Sequence, residues 1–257
     1  MIKNKICGIV GFPLKNPRSI PIWKKYFKKN KINSSMEEFQ IKVSKINSFI
    51  KFMKFDEAFL ATAVTMPYKL LLYKRVKIED EFAKYAKSIN LIYKKNNILY
   101  GYNTDIYGAI SSIKNKISKF KTICIIGLGG SGTAIFNYLS KKYKKKLYIL
   151  ITKKKLKYKK VKIFKGFDKY ILAKEMLIIN CTPLGSNLNS SLLNKSPVPL
   201  NLLSFINKKS FIFDIIYSPK KTILSKKCKK YKIGYINGLF MNTMQAKKAL
   251  QIVFRNN

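Results

Sequence analysis

Residues 122–139 read TICIIGLGGSGTAIFNYL. An apolar run, Thr122 to Ile126, meets a cluster of glycines and then a stretch with helical spacing. Isoleucine favours the extended chain, and glycine permits the sharp turn that must follow it. Gly127, Gly129 and Gly132 stand in the pattern G-x-G-x-x-G. Gly127 allows the tight turn, Gly129 lets the backbone approach a diphosphate, and Gly132 lets the helix pack closely on the strand. The first backbone N–H groups of the helix are then free to meet phosphates. The same residues could form a tight glycine turn with no ligand. The strand before and the helix after favour a dinucleotide.

The flanking sequence extends the pattern in both directions. KICGIVGF (5–12), EEFQIKV (37–43), AFLATAVT (58–65), KLYILIT (146–152), MLIIN (176–180) and FIFDII (211–216) are strand-like apolar runs. SIPIWKKYFKKN (19–30), SKINSFIKFMKF (44–55), TDIYGAISSIKNKI (104–117) and the tail NGLFMNTMQAKKALQIVF (237–254) have helical character. In the second of these Ile46, Phe49, Ile50 and Met53 recur at 3–4 spacing. LIYKKNNILYGY (91–102) reads as a hairpin turning at Asn96-Asn97, and Thr104 or Asp105 is the expected cap of the helix that follows. Strands alternating with helices predict an α/β fold with parallel sheets. The stretch PLGSNLNSSLLNKSPVPL (183–200) reads as a long loop over a ligand. The second strand–helix series begins near residue 121, which sets a domain boundary on the helix before it.

Composition removes several chemistries. The 257 residues contain no His, so Ser-His-Asp and Cys-His catalysis and His-ligated metals are excluded. Cys7, Cys124, Cys181 and Cys228 form no C-x-x-C pair and read as reduced thiols of a cytoplasmic protein. No apolar run approaches the ≈ 18–20 residues of a membrane span. The net charge is +42, from 53 Lys+Arg against 11 Asp+Glu. A nucleic-acid partner is not expected, because the cations are scattered lysines; only Arg18, Arg75 and Arg255 are arginine, the residue suited to bidentate recognition. Non-specific, salt-sensitive binding to polyanions is expected.

The residues after the glycine turn bear on which dinucleotide fits. A site for NAD usually carries an acid about 20 residues on, against the ribose hydroxyl. No acid occurs here between Asp105 and Asp168; instead Thr152 is followed by Lys153, Lys154 and Lys155. Ammonium groups there suit a 2′-phosphate, which favours NADP over NAD.

Eight separated stretches, in order, resemble one family. They are GFPLKNPRSIP (11–21), AVTMPYK (63–69), SINLIY (88–93), GYNTD (101–105), GLGGSG (127–132), INCTPLG (179–185), FDIIYSPKKTIL (213–224) and NGLFMNTMQA (237–246). The chain resembles the shikimate dehydrogenase family over nearly its whole length. That resemblance implies NADPH-dependent reduction of 3-dehydroshikimate to shikimate in aromatic amino-acid biosynthesis. It implies an N-terminal α/β substrate domain over 1–105, a Rossmann-like NADP-binding domain over 106–236, and a last helix, 237–257, packing back on the first. The expected assembly is a monomer or homodimer acting on a small molecule, without a metal.

Within the resemblance, Lys69 and Asp105 match the family's catalytic pair. Reduction of a ring ketone leaves charge on oxygen, and without His the proton donors available are Lys, Tyr or water. Ser19, Thr65, Asn90, Tyr217 and Gln245 match substrate-contacting positions. Gly127, Gly129, Gly130, Ser131, Gly132, Thr152, Lys153, Thr182 and Gly238 match cofactor-contacting ones. The chain differs from the family pattern at Phe12, Asn16, Pro17, Ala63 and Leu91, and Ile151, Thr152 and Lys153 replace its N-R-T cluster. Rival readings are a quinate/shikimate dehydrogenase using NAD, or a weakened relative that binds polyanions through its basic surface.

Overall fold

The computed structural model describes residues 4–14, 17, 19–154, 158 and 161–254. Asn16, Arg18, Lys155 and Arg255, named above, lie outside the described residues. The chain divides into two compact units, Met1–Tyr107 with Met244–Asn257, and Gly108–Thr243.

The first unit contains β1 (Lys5–Gly11), α1 (Ser19–Lys29), β2 (Ser34–Gln40), α2 (Ile46–Phe55), β3 (Phe59–Val64), α3 (Tyr68–Tyr73), α4 (Glu81–Ala86), β4 (Leu91–Lys95), β5 (Ile98–Tyr102) and the start of α5 (Thr104–Ile117). Its sheet has the order β2-β1-β3-β4-β5. The pairs β1–β2 and β1–β3 are parallel; β3–β4 and β4–β5 are antiparallel. Alternation along the strands fills both faces. Cys7, Ile9, Ala61 and Leu91 pack with Trp23 and Phe27 of α1 on one side, together with Leu250 and Val253 of the C-terminal helix. Val10, Phe59, Val64 and Ile92 pack with Phe49 and Met53 of α2 and with Tyr68 and Leu72 of α3 on the other. The β4–β5 hairpin turns where the sequence predicts: Asn96 and Asn97 both take left-handed φ, 49° and 57°, as a two-residue turn matched to strand twist requires.

The second unit contains β6 (Thr122–Ile126), α6 (Gly130–Lys142), β7 (Leu147–Ile151), β8 (Val161–Phe164), α7 (Lys169–Leu172), β9 (Leu177–Asn180), α8 (Ser190–Leu193), β10 (Phe211–Asp214), α9 (Ile223–Lys230), β11 (Gly234–Asn237) and the first five residues, 239–243, of α10 (Leu239–Phe254). Its sheet order is β11-β10-β9-β6-β7-β8, and every pair is parallel. Counted from β6, this is the doubly wound order 3-2-1-4-5-6, in which the strand order reverses between the first and fourth strands. The reversal falls between β6 and β9, and the glycine turn sits at the C-terminal end of β6. β9 is buried throughout, Leu177 to Asn180, as expected for a central parallel strand.

Three expectations are corrected. β2 begins earlier and ends earlier than EEFQIKV, because Val43–Lys45 forms a 3₁₀ turn. The stretch 183–200 is not one long loop: it contains α8, capped by Asn189, whose side chain accepts from Ser191 N. The cap of α5 is neither Thr104 nor Asp105 but Asn103, whose Oδ1 accepts from Ile106 N at 3.1 Å. Among the described residues no helix is long and apolar enough to cross a membrane.

Candidate functional site

In the first unit, Lys69 and Asp105 meet although 36 residues separate them, with Lys69 Nζ donating to Asp105 Oδ2 at 2.7 Å. Lys69 lies in the first turn of α3, directly after Pro67 and Tyr68. Tyr68 anchors that turn: its ring is fully buried and its hydroxyl donates to the Ile41 carbonyl. Asp105 lies in the first turn of α5. Because Asn103 takes the capping task, the Asp105 carboxylate is available to the ammonium. The two side chains are 37% and 28% exposed, so the pair is reachable by a small molecule.

A second polar cluster adjoins it through the backbone. Ile89 N donates to the Lys69 carbonyl, next to Asn90, and Thr104 precedes Asp105. Asn90 Nδ2 donates to Thr104 Oγ1 at 2.9 Å and to Gln245 Oε1 at 3.2 Å. Asn90 Oδ1 accepts from Thr104 N at 2.7 Å, and Thr104 Oγ1 also reaches Gln245 Oε1 at 3.2 Å. Asn90 and Thr104 are buried, and every bond in the cluster joins distant parts of the chain. An ammonium held by a carboxylate, next to oriented amides, can give up a proton and bind a polyol.

The remaining expected residues of this unit are placed as follows. Thr65 directly follows β3, its N–H donating to the Val10 carbonyl. Ser19 opens α1, and its Oγ is buried without a hydrogen-bond partner among the described residues. A buried hydroxyl left unpaired is costly unless something else satisfies it. Tyr217 belongs to the second unit, on the segment after β10.

In the second unit the three glycines meet the physical demands read from their spacing. Gly127 has φ +82°, a left-handed conformation open to glycine. A Cβ at Gly132 would lie 1.9 Å from the Gly127 carbonyl oxygen, so that helix-to-strand approach requires glycine. A Cβ at Gly129 or Gly130 would meet nothing within 4 Å. That open space, at the N-terminus of α6 beside exposed Ser131, suits a diphosphate. Gly238 is different: a Cβ there would lie 2.0 Å from the Ile215 carbonyl oxygen, so the close approach of its own backbone accounts for it.

Thr152 follows β7, and its Oγ1 accepts from Lys154 N at 3.2 Å. Lys153 is exposed, while the neighbouring Lys154 turns its ammonium to the glycine turn, donating to the Leu128 carbonyl at 2.6 Å. Thr182 packs its methyl group against Gly127 and donates from Oγ1 to Asn180 Oδ1 at 2.7 Å. Asn180 Nδ2 in turn donates to Asp214 Oδ1 at 2.9 Å. Asp214 is fully buried; burial pushes its carboxyl above the usual range, and hydrogen bonds from Asn180, Ile216 N and Tyr235 pull it back. Burial likewise raises all four cysteine thiols, which are free.

Asn103, Asn180 and Asp214 are site neighbours that the sequence reading does not single out, and Thr104 is read there only as a helix cap. Asn103, Thr104, Asn180 and Asp214 all stand inside quoted motifs, GYNTD, INCTPLG and FDII. Their signal is a polar residue at the C-terminal end of an apolar strand.

A doubly wound parallel unit with this glycine turn, in one chain with a unit that pairs Lys69 and Asp105, defines a two-unit α/β protein of the dinucleotide-linked dehydrogenase class. The family model of the shikimate dehydrogenase substrate binding domain matches residues 9–92. Over 252 residues the chain is 30% identical to the shikimate dehydrogenase (NADP(+)) of Pelagibacter ubique (strain HTCC1062), covering 95% of this chain and 91% of the relative. Its fold is similar to a chorismate mutase/shikimate 5-dehydrogenase fusion protein from Clostridium acetobutylicum, with a TM-score of 0.82 and 25% identity over 98% of this chain and 91% of that one. It is also similar to a shikimate dehydrogenase crystallised with NADP+, with a TM-score of 0.80 and 26% identity over 98% and 91% of the two chains. The chain belongs to the shikimate dehydrogenase family.

Proposed function

We propose that this protein reduces 3-dehydroshikimate to shikimate with NADPH, the first unit holding substrate and the second the cofactor. The observation that carries the reading is the 2.7 Å contact between Lys69 Nζ and Asp105 Oδ2. When bound, NADPH supplies the hydride. Lys69 offers an ammonium to the oxygen on which charge develops and can give it a proton. Asp105 orients that ammonium and accepts from a ring hydroxyl. Asn90 and Gln245, joined through Thr104, are the amides assigned to the remaining hydroxyls, a substrate hydroxyl displacing one bond of that cluster. The unpaired Ser19 hydroxyl suits the substrate carboxylate, with Thr65 as a further contact in the same unit. Gly129, Gly130 and Ser131 offer the open backbone at the start of α6 to the pyrophosphate. Thr152, Lys153 and Lys154 offer donors to the 2′-phosphate. The four buried free thiols suit a cytoplasmic setting.

The test follows NADPH oxidation with 3-dehydroshikimate for the parent protein, Lys69→Ala and Asp105→Ala. Acid–base groups contribute at least about a hundredfold, so kcat is expected to fall by that factor or more in both variants. Turnover unchanged in both refutes the roles. Parallel assays with NADH and with quinate as the reverse substrate decide against the NAD-linked quinate reading if NADPH and the shikimate pair give the higher kcat/KM.

A further inference from the structure

The buried chain Asp214–Asn180–Thr182 runs across the C-terminal ends of β10 and β9, and its hydrogen bonds have a fixed direction. Ile216 N donates to Asp214 Oδ1 at 3.1 Å, and a backbone N–H can only donate. Asp214 Oδ1 is therefore an acceptor in either protonation state. Asn180 is oriented from the other side as well: Thr182 N can only donate, so Asn180 must turn its Oδ1 toward Thr182, at 3.0 Å, which leaves its Nδ2 facing Asp214, at 2.9 Å. That Oδ1 accepts from both Thr182 N, at 3.0 Å, and Thr182 Oγ1, at 2.7 Å. A hydroxyl has one proton, and Thr182 spends it inward; its Oγ1 also accepts from Leu184 N at 3.4 Å, which leaves one lone pair for a ligand. Tyr235, whose hydroxyl donates to Asp214 Oδ2 at 3.0 Å, pins the far end of the chain. Asn180 and Asp214 are both fully buried, whereas Thr182 is partly exposed beside Gly127.

We infer that Asp214 and Asn180 are positioning residues that make Thr182 an acceptor-only contact, selecting a hydrogen-bond donor on the nicotinamide half of the dinucleotide. A phosphate oxygen, which only accepts at neutral pH, is the wrong partner for it. The assignment to that half follows from topology. β6, β7 and β8 form one mononucleotide half, and β9, with Thr182 just beyond it, opens the other. Two donors in that half have the required chemistry, a ribose hydroxyl and the carboxamide NH₂. This inference rests on the dinucleotide reading above.

The experiment measures binding of NADP+, of 2′,5′-ADP, which lacks the nicotinamide half, and of the 3-acetylpyridine analogue of NADP+, which lacks the carboxamide NH₂. Thr182→Val is expected to weaken NADP+ about fivefold to tenfold, one neutral hydrogen bond, and to leave 2′,5′-ADP unchanged. Thr182→Ser, which keeps the acceptor, is expected to stay within about twofold of the parent. Asp214→Leu is expected to reproduce the Thr182→Val loss and to add nothing in the Thr182→Val background; Asp214→Asn, which keeps an acceptor oxygen, restores binding. If the acetylpyridine analogue is indifferent to Thr182→Val, the donor is the carboxamide; if it loses affinity as NADP+ does, the donor is the ribose. NADP+ binding unaffected by Thr182→Val, an equal loss for 2′,5′-ADP, or a further loss from Asp214→Leu on top of Thr182→Val each overturns the inference. If Asp214→Leu does not fold, the Thr182 arms decide. Failure of the parent to bind NADP+ or 2′,5′-ADP at all brings down the dinucleotide reading itself, a distinguishable result.

Discussion

Asn103 shows how one side chain sets up another. Its Oδ1 caps α5 at Ile106 N, its Nδ2 donates to the Ser88 carbonyl, and its own N–H donates to Asp80 Oδ2. Every aspartate in this acid-poor chain has a comparable assignment. Asp56 accepts from Ala58 N and Phe59 N, Asp80 and Asp168 cap short helices, and Asp214 is buried among donors. Asp105 differs in accepting from an ammonium. Its position depends on Asn103, because a cap that failed would leave the first turn of α5 to fray. Replacing an N-cap by Ala costs about 0.5–2 kcal/mol. Asn103→Ala is therefore expected to lower stability by about that amount, and kcat with it, whereas Asn103→Asp keeps the cap but sets a carboxylate oxygen against the Ser88 carbonyl and is expected to recover only part of the loss. Urea denaturation and turnover on the same preparations check this; an Ala variant with lowered stability and unaltered kcat would detach the cap from the Lys69–Asp105 pair.

The glycine turn of β6–α6 separates two uses of one residue type. Gly132 is demanded by packing and Gly129 by open space. Gly132→Ala is expected to cost about 1–3 kcal/mol, the usual range for overpacking, and to weaken binding as well. Gly129→Ala is expected to cost under about 0.5 kcal/mol, since its φ of −72° suits any residue and its Cβ meets nothing. Its loss should appear in NADPH affinity alone, read by fluorescence titration beside denaturation midpoints. A Gly129→Ala protein that binds as tightly as the parent would mean the open space is not where the pyrophosphate lies. This turn was legible in the sequence because each glycine has a mechanical reason, and the Asn96-Asn97 hairpin was legible for the same cause. β8 and β11 were not. Each is a four-residue edge strand with no fully buried position, so neither presents the apolar run that marks the central strands. α9 was hidden as well: Leu224 and Cys228 are its buried residues, one apolar pair among lysines. Lys69 and Asp105 are nominated as a pair only by the family resemblance; their meeting itself depends on β3, β4 and β5 bringing α3 and α5 together. That is tertiary information.

The charge of the whole chain poses the last physical problem. Subtracting 11 acids from 53 bases leaves 42 cations that no acid of the chain can pair with one to one. Some lie over aromatic rings instead, as Lys116 does over Phe211 at 4.3 Å and Lys248 over Tyr107 at 5.2 Å. Such contacts contribute about 0.5–1 kcal/mol each at exposed sites and do not remove the charge. The folded state gathers like charges that the unfolded chain spreads out, so self-repulsion opposes folding. Salt shortens the reach of that repulsion, from about 30 Å at 0.01 M to about 8 Å at 0.15 M and about 3 Å at 1 M. Opposing this, the Lys69–Asp105 and Lys77–Glu79 pairs weaken with salt, but pairs this open to solvent contribute little. Repulsion among tens of cations outweighs two such pairs. Thermal stability is therefore expected to rise as NaCl goes from 0.01 to 0.3 M and then to level off once screening is complete. Each 1 kcal/mol recovered should raise Tm by about 2–4 °C for a chain near this length. Scanning Tm against NaCl and KCl, which screen alike, checks it. A flat or falling Tm would show that the lysines are spaced widely enough for the fold to ignore their sum.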